Sequence, residues 1–399
     1  MNPSAGGWIP KFESVIEKHE DRYTDFPLLY FDLKRTGFVY GINTEVLPFI
    51  VSEHTLSEDE KAKINLFTAL YYTYRLERDN NFESFLENLF TFYDNLRVAH
   101  LSFLGKLLSG KTTTSKLEKL IDSRVYLEDN VISKTFNSII TNSLLFIDIL
   151  LFKRYLSDSV GIKTYAYNLE YLAIHVTYHA LNSKEKNKKD EKLAELFGSS
   201  LSFINPDTQS FDGSYREQLL KKRPNCENAY LLDMACLTVW EDHSLDYKES
   251  GFIFGIGKDM DCSVETIATS LEDVAEFFKK NAKIVPFLKD NNLAIQFYDS
   301  MSKVVNKLIL RNSKRLQKEL SESAELVALL TKSTLRDLTK EEKKKVQNQL
   351  IDIFKSIPSL AIFILPGGAV LLPIFIKLIP KLLPSSFDEN RVEKNEEKK

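Results

Sequence analysis

The sequence predicts an all-α protein: a multi-helix soluble body with a C-terminal apolar helical segment broken by Pro and Gly. Three observations carry that expectation. Outside the C-terminus helix breakers are scarce, since the 399 residues hold 14 Gly and 12 Pro and five of the prolines lie between Pro358 and Pro384. Apolar residues elsewhere recur every three to four positions, the period of one helix face. Finally, Ile357 to Phe387 reads IPSLAIFILPGGAVLLPIFIKLIPKLLPSSF, with no charge between Lys355 and Lys377.

The first strong helix is expected from Glu58 to Arg78, where Ser57 and Glu60 are spaced as a capping box and Leu66, Leu70, Tyr71 and Tyr74 follow at helical intervals. A second is expected over Phe82–Leu108, with Phe85, Leu86, Leu89, Phe92 and Leu96 on one face. Asn130–Leu156 reads as a third. Its core, Leu144 to Ile147, is strongly apolar, but Asp148 interrupts it and Lys153-Arg154 end it too soon to cross a bilayer. It is expected to be buried in a soluble bundle. Thr164–Asn182 is a fourth helix, and the charged run Lys184–Lys192 after it reads as a solvated linker.

Beyond that run, an apolar helix ends at Trp240-Glu241-Asp242, an acidic connection follows, and a second apolar helix starts after Asp246 with Glu249 near its opening. Over Tyr230–Phe278 this resembles the TerB-like helical module, although Asp242-His243 stands where that module has Asp-Gly. From Asn291 to Leu330, Ile295, Met301, Val304, Val305, Leu308, Leu316 and Leu320 mark one or two long amphipathic helices, packed on their own bundle or serving as a coiled-coil arm. Thr339 and Glu342 form another capping box. The expected domains are a helical N-terminal domain (1–190), a TerB-like module (191–290), long amphipathic helices (291–345), the apolar segment (346–387) and a charged tail (388–399).

Composition narrows function. An apolar fraction of 43% and a charged fraction of 27% are those of a folded chain. A net charge of −3 gives no chain-wide basic footprint, so no sequence-specific nucleic-acid binding is expected. Cys226, Cys236 and Cys262 are odd in number and form no CxxC, which fits neither a disulfide framework nor a zinc site and points to a reducing compartment. The N-terminal residues show neither a secretory signal nor an Arg-rich presequence, so a bacterial cytoplasmic start is expected.

Chemistry is thinly represented. His175 and His179 share a helix face at i, i+4, as two metal ligands would, but no Glu lies between them, and histidines satisfied in a helix interface are the simpler reading. Asp242, Asp246 and Glu249 form a weak candidate cation site. A calcium loop needs Gly at its sixth position, whereas the sixth residue from Asp242 is Tyr247. Gly255-Ile256-Gly257-Lys258 lacks the spacing of a phosphate loop, and no GxSxG occurs. No enzyme activity, metal or cofactor is therefore expected.

The terminal segment is the informative one. Pro366-Gly367-Gly368 divides it into two arms of about nine residues, each ~14 Å long as helix. It can cross a membrane as one kinked helix, enter and return as a hairpin, or lie buried in the protein's own core. Broken backbone in lipid must be covered by protein, so the upstream helices or a second copy of the chain are implied as partners. The spacing of Pro358, Pro366, Pro373, Pro380 and Pro384, with Lys377 and the closing Leu-Pro-Ser-Ser-Phe at Phe387, resembles the membrane segment of the LETM family of mitochondrial inner-membrane proteins and their bacterial relatives. The resemblance runs from Leu338 to Phe387.

It implies a non-enzymatic, membrane-associated interaction protein of a bacterial inner membrane, its body facing the cytoplasm, with a ribosome as partner. The alternative is a component of cation–proton homeostasis, and an envelope or biofilm-related role fits either. Two departures bear on this. Family members linked to exchange carry an acid within the apolar segment where this chain has Ala369. They also continue beyond the motif into a long ribosome-binding domain, whereas 12 residues follow Phe387 here.

Overall fold

The structure, a computed structural model, describes residues 1–52, 55–96, 113–125, 143–183, 215–240, 247–282, 302, 305–357, 360, 363, 371–383 and 387. Every regular element among them is helical. The body begins with α1 (Trp8–Ile16), a short 3-10 turn (Glu17–Arg22) and α2 (Phe26–Arg35). It continues with α3 (Glu58–Glu77), α4 (Phe82–Asn95), α5 (Thr113–Arg124), α6 (Phe146–Ser157) and α7 (Ile162–Ser183). Then come α8 (Tyr215–Leu219), α9 (Asn225–Val239), α10 (Tyr247–Asp259) and α11 (Val264–Asn281). The C-terminal elements are α12 (Ser313–Ser321), α13 (Ala324–Leu335), α14 (Lys340–Ser356) and α15 (Leu372–Leu382), preceded by helical residues 305–311.

Local chemistry sets the helix starts. The Ser57 Oγ accepts from the Glu60 N–H at 3.2 Å while the Ser57 N–H donates to Glu60 Oε2 at 2.9 Å, the expected capping box. Asp25, Asn81 and Ser263 cap α2, α4 and α11 in the same way, accepting from the backbone N–H three residues on. Gly37, at φ +83°, turns the chain after α2, where a Cβ would stand 1.9 Å from the Ile42 carbonyl oxygen.

Several expected spans are shorter. α4 stops at Asn95, closed by the Leu96 N–H on the Phe92 carbonyl, and residues 97–108 of the expected Phe82–Leu108 span lie outside the described residues. α6 begins only at Phe146, after a turn at Leu144-Leu145, and residues 126–142 lie outside the described set. The expected long helices of 291–330 are three pieces where described. The breaks fall at Asn312, whose amide donates to its own Leu308 carbonyl at 2.7 Å, and at Ser323, whose backbone leaves the helical region. Asn and Ser offer the backbone such local alternatives, and periodicity alone does not register them.

α3 packs on α6, and α7 and α9 pack against each other at the centre of the body, joined by α10 and α11. The expected linker at 184–192 lies outside the described residues, yet the helices on its two sides share one core. A buried ion pair crosses from one side to the other, from Lys34 of α2 to Asp233 of α9 at 3.0 Å. Gly257 lets α10 approach α11 closely, since a Cβ there would lie 2.5 Å from Ile267 Cδ1. Gly255 instead faces Arg216, whose guanidinium would stand 3.1 Å from a Cβ there.

Candidate functional site

The C-terminal unit is built on an α13–α14 hairpin. The Thr339 Oγ1 accepts from the Glu342 N–H at 3.3 Å, and Glu342 Oε2 accepts from the Thr339 N–H at 2.9 Å. Glu342 also accepts from Arg336 at 2.8 Å and Lys332 at 3.1 Å, tying the end of α13 to the start of α14. Arg336, then the Thr339 N–H, hold the Glu342 carboxyl well below the usual carboxylate range. At the other end Lys345 and Gln349 donate to Glu325 at 2.6 and 3.0 Å, and Ser356 donates to Glu319 of α12 at 2.9 Å. All of these pairs are exposed, so they set register more than stability.

The apolar run packs into this frame. Ile357, Leu360, Phe363, Leu371, Leu372, Ile374, Phe375, Ile376, Ile379, Leu383 and Phe387 are all buried. Phe354 of α14, Phe363 and Phe375 of α15 form a ring cluster with centroids 4.8–5.0 Å apart. α15 carries Pro373 in its first turn and Pro380 inside, and presents Lys377 and Lys381 to solvent one turn apart. Its 11 residues reach ~16 Å, against ~30 Å of hydrocarbon core. Among the described residues no helix is long and apolar enough to cross a membrane.

Of the motif residues, Pro373, Lys377, Pro380 and Phe387 are thus brought onto one packed unit, while Pro358, Pro366, Gly367, Gly368 and Pro384 lie outside the described residues. Asp242 and Asp246 lie outside them too, and Glu249 is described only as part of the α10 backbone. Among the described residues no cluster of three metal-ligating side chains occurs.

His175 and His179 of α7 stack on Tyr215 of α8, at centroid distances of 5.3 and 4.4 Å and interplanar angles of 17° and 12°. They lie at a helix interface as expected, but the buried His179 Nε2 has no hydrogen-bond partner among the described residues, so that ring is stacked rather than satisfied there. Burial, then the nearby Arg216 charge, lowers the His179 pKa to about 4, so the ring is neutral near pH 7.

Two buried ionic nodes lie in the body. Asp148, fully buried, takes two hydrogen bonds from Arg124, at 2.6 and 2.9 Å, and one from the Tyr93 hydroxyl at 2.9 Å. Lys34 bridges Asp233 and Asp273 at 3.0 and 2.6 Å, and Tyr30 donates to Asp233 at 2.5 Å. Burial raises the Asp233 pKa against the opposing pull of Lys34 and Tyr30. Both nodes are closed by their own partners and hold helices together.

One property of the C-terminal unit escapes a chain-wide sum. Residues 305–387 contain 14 Lys and Arg against 7 Asp and Glu, while residues 1–304 contain 35 against 44. The net charge of −3 averages a basic end with an acidic body. Charge tallied by segment was the signal that would have found it.

Residues 338–399 match the family model described as LETM1-like, RBD. The C-terminal segment is LETM1-like. Over 52 residues the chain is 42% identical to the mitochondrial proton/calcium exchanger protein of Drosophila melanogaster, which covers 13% of this chain and 5% of that protein. No solved structure matches the chain. The matched residues take in both the apolar segment and the charged tail.

Proposed function

We propose that this chain is a non-enzymatic LETM-like interaction protein that docks ribosomes at a membrane surface through its C-terminal helical unit. The observation that carries the reading is the union of a LETM1-like segment with a concentrated positive charge, net +7 over residues 305–387, on a chain whose total is −3. Cations gathered on one folded unit attract phosphate-rich partners and leave the acidic body turned away from them. The buried apolar run gives that unit its core, and Lys377 and Lys381 lie on its outer side. Membrane association then comes from the surface of the unit or from its opening, since α15 is too short to span.

Co-sedimentation of the full chain with ribosomes in low salt tests the proposal. We expect a ribosome-bound fraction that is lost as salt rises. Absence of that fraction at low salt overturns the reading.

A second reading, a part in cation–proton homeostasis, is favoured by the likeness to the Drosophila melanogaster proton/calcium exchanger protein. It must supply a carboxylate from outside the apolar run, because none stands between Lys355 and Lys377. Cation flux into liposomes reconstituted with the purified chain, above protein-free controls, supports this reading. Flux equal to the controls removes it.

A further inference from the structure

We propose that Lys307, Arg311, Lys314, Arg315 and Lys318 form a ridge that binds the phosphate backbone of structured RNA. The inference rests on the ribosome-docking reading and names the element that makes the contact. The ridge lies before residue 338, outside the LETM1-like segment.

The five positions fall at i, i+4, i+7, i+8 and i+11, within an arc of about 100° on a helix of 3.6 residues per turn, and extend for ~16 Å. Asn312 interrupts the regular helix, at φ −109° and ψ 12°, but its N–H still reaches the Leu308 carbonyl at 3.3 Å and its own carbonyl accepts from the Leu316 N–H at 2.9 Å, so the hydrogen-bond ladder runs on from residues 305–311 into α12. All five side chains are exposed, and none makes an ion pair with a described residue. No Asp or Glu occurs from Val305 to Lys318. Five cations held in a row without an ion-pair partner among the described residues carry a standing repulsion, which a line of phosphates would relieve with release of counterions.

The opposite side of the helix decides the class of partner. Val305, Leu308, Ile309, Leu316 and Leu320 are buried in the bundle. A helix that lies in a lipid interface needs its apolar face free to insert, and here that face is already occupied. Leu310, half exposed, is the one large apolar side chain exposed along 305–321, too little to anchor in lipid or in a protein interface. The ridge therefore offers charge alone, which suits a backbone of phosphates read without regard to sequence.

The test uses the full chain, a fluorescent RNA hairpin and a salt titration followed by anisotropy. The variant K307Q/R311Q/K314Q/R315Q/K318Q is compared with wild type and with K340Q/K343Q/K344Q, which removes cations from the LETM1-like segment instead. Neutralising five phosphate contacts should make the slope of log K against log salt shallower by about 3.5 to 4.5, with at least a tenfold loss at low salt. The control variant should keep most of the slope. If the fivefold variant loses helicity, R311Q/R315Q and K307Q/K314Q/K318Q are measured separately, each expected to lower the slope by about 0.7 to 0.9 per charge removed. An unchanged slope overturns the proposal. So does wild-type binding to phosphatidylglycerol vesicles, lost in the variant, without binding to the hairpin. Ribosome co-sedimentation that survives in the ridge variant overturns the ridge and leaves ribosome docking standing. Hairpin binding without ribosome binding overturns the docking reading instead.

Discussion

Asp148 shows how one residue changes meaning between sequence and structure. In the sequence it is a charge that spoils an apolar run. In the fold it is the fully buried acceptor for Arg124 and Tyr93, joining α4, α5 and α6. Removing one partner of such a pair leaves the other charge buried and uncompensated. Asp148→Asn should therefore destabilise the chain by about 3–5 kcal/mol, read as a lowered urea midpoint with unchanged m. His179 makes a second prediction. Its folded pKa, about 4, lies below the ordinary 6.5, so between these values the unfolded chain binds the proton that the folded chain refuses. Its contribution to stability is complete above pH 6.5 and is lost as pH falls toward 4. His179→Phe should flatten that part of the pH–stability curve, and an unchanged slope between pH 4 and 6.5 would refute the assignment.

At the scale of the element, caps were legible and breaks were not. Both capping boxes expected from sequence form, because Ser57/Glu60 and Thr339/Glu342 need only the right residues three apart. Thr339→Ala should cost about 1 kcal/mol and loosen the α13–α14 connection, because the cap also positions Glu342 for Arg336 and Lys332. Thermal melts of the variant, with Thr339→Ser as the conservative control, read this directly. Gly257→Leu should be worse than its helix propensity allows, since even a Cβ meets the Ile267 side chain at 2.5 Å. An unchanged melting temperature would mean that α10 and α11 are not packed as described. The breaks at Asn312 and Ser323 went unseen because an amphipathic pattern passes through them without a change of period.

For the whole molecule, the decisive facts are a shared core and a divided charge. Residues on both sides of the expected 184–192 linker meet in one cluster, fastened by the Lys34–Asp233 pair. Trp8 and Trp240, the two tryptophans, lie on opposite sides of that linker in sequence and are both buried. Urea unfolding followed by fluorescence in Trp240→Phe and in Trp8→Phe should give coincident midpoints once each variant's own stability loss is measured by circular dichroism. Separate transitions would restore two independent domains.

By itself the sequence determined the all-α class, the main helix starts, and the LETM-like character of the C-terminal segment. Periodicity, caps and proline spacing are local properties, and a single chain displays them in full. It did not determine what the apolar run packs against. Only the tertiary structure placed Phe363 and Phe375 on Phe354 and turned α15 into the core of a helical unit. Nor did the sequence separate the ions that hold the fold from those free to meet a partner. Asp148, Lys34 and Asp233 read as charges like any others until burial pairs them, whereas Lys307 to Lys318 remain exposed along one ridge. The physical reason is that desolvation, which decides the role of a charge, is a property of surroundings supplied by residues far away in the chain.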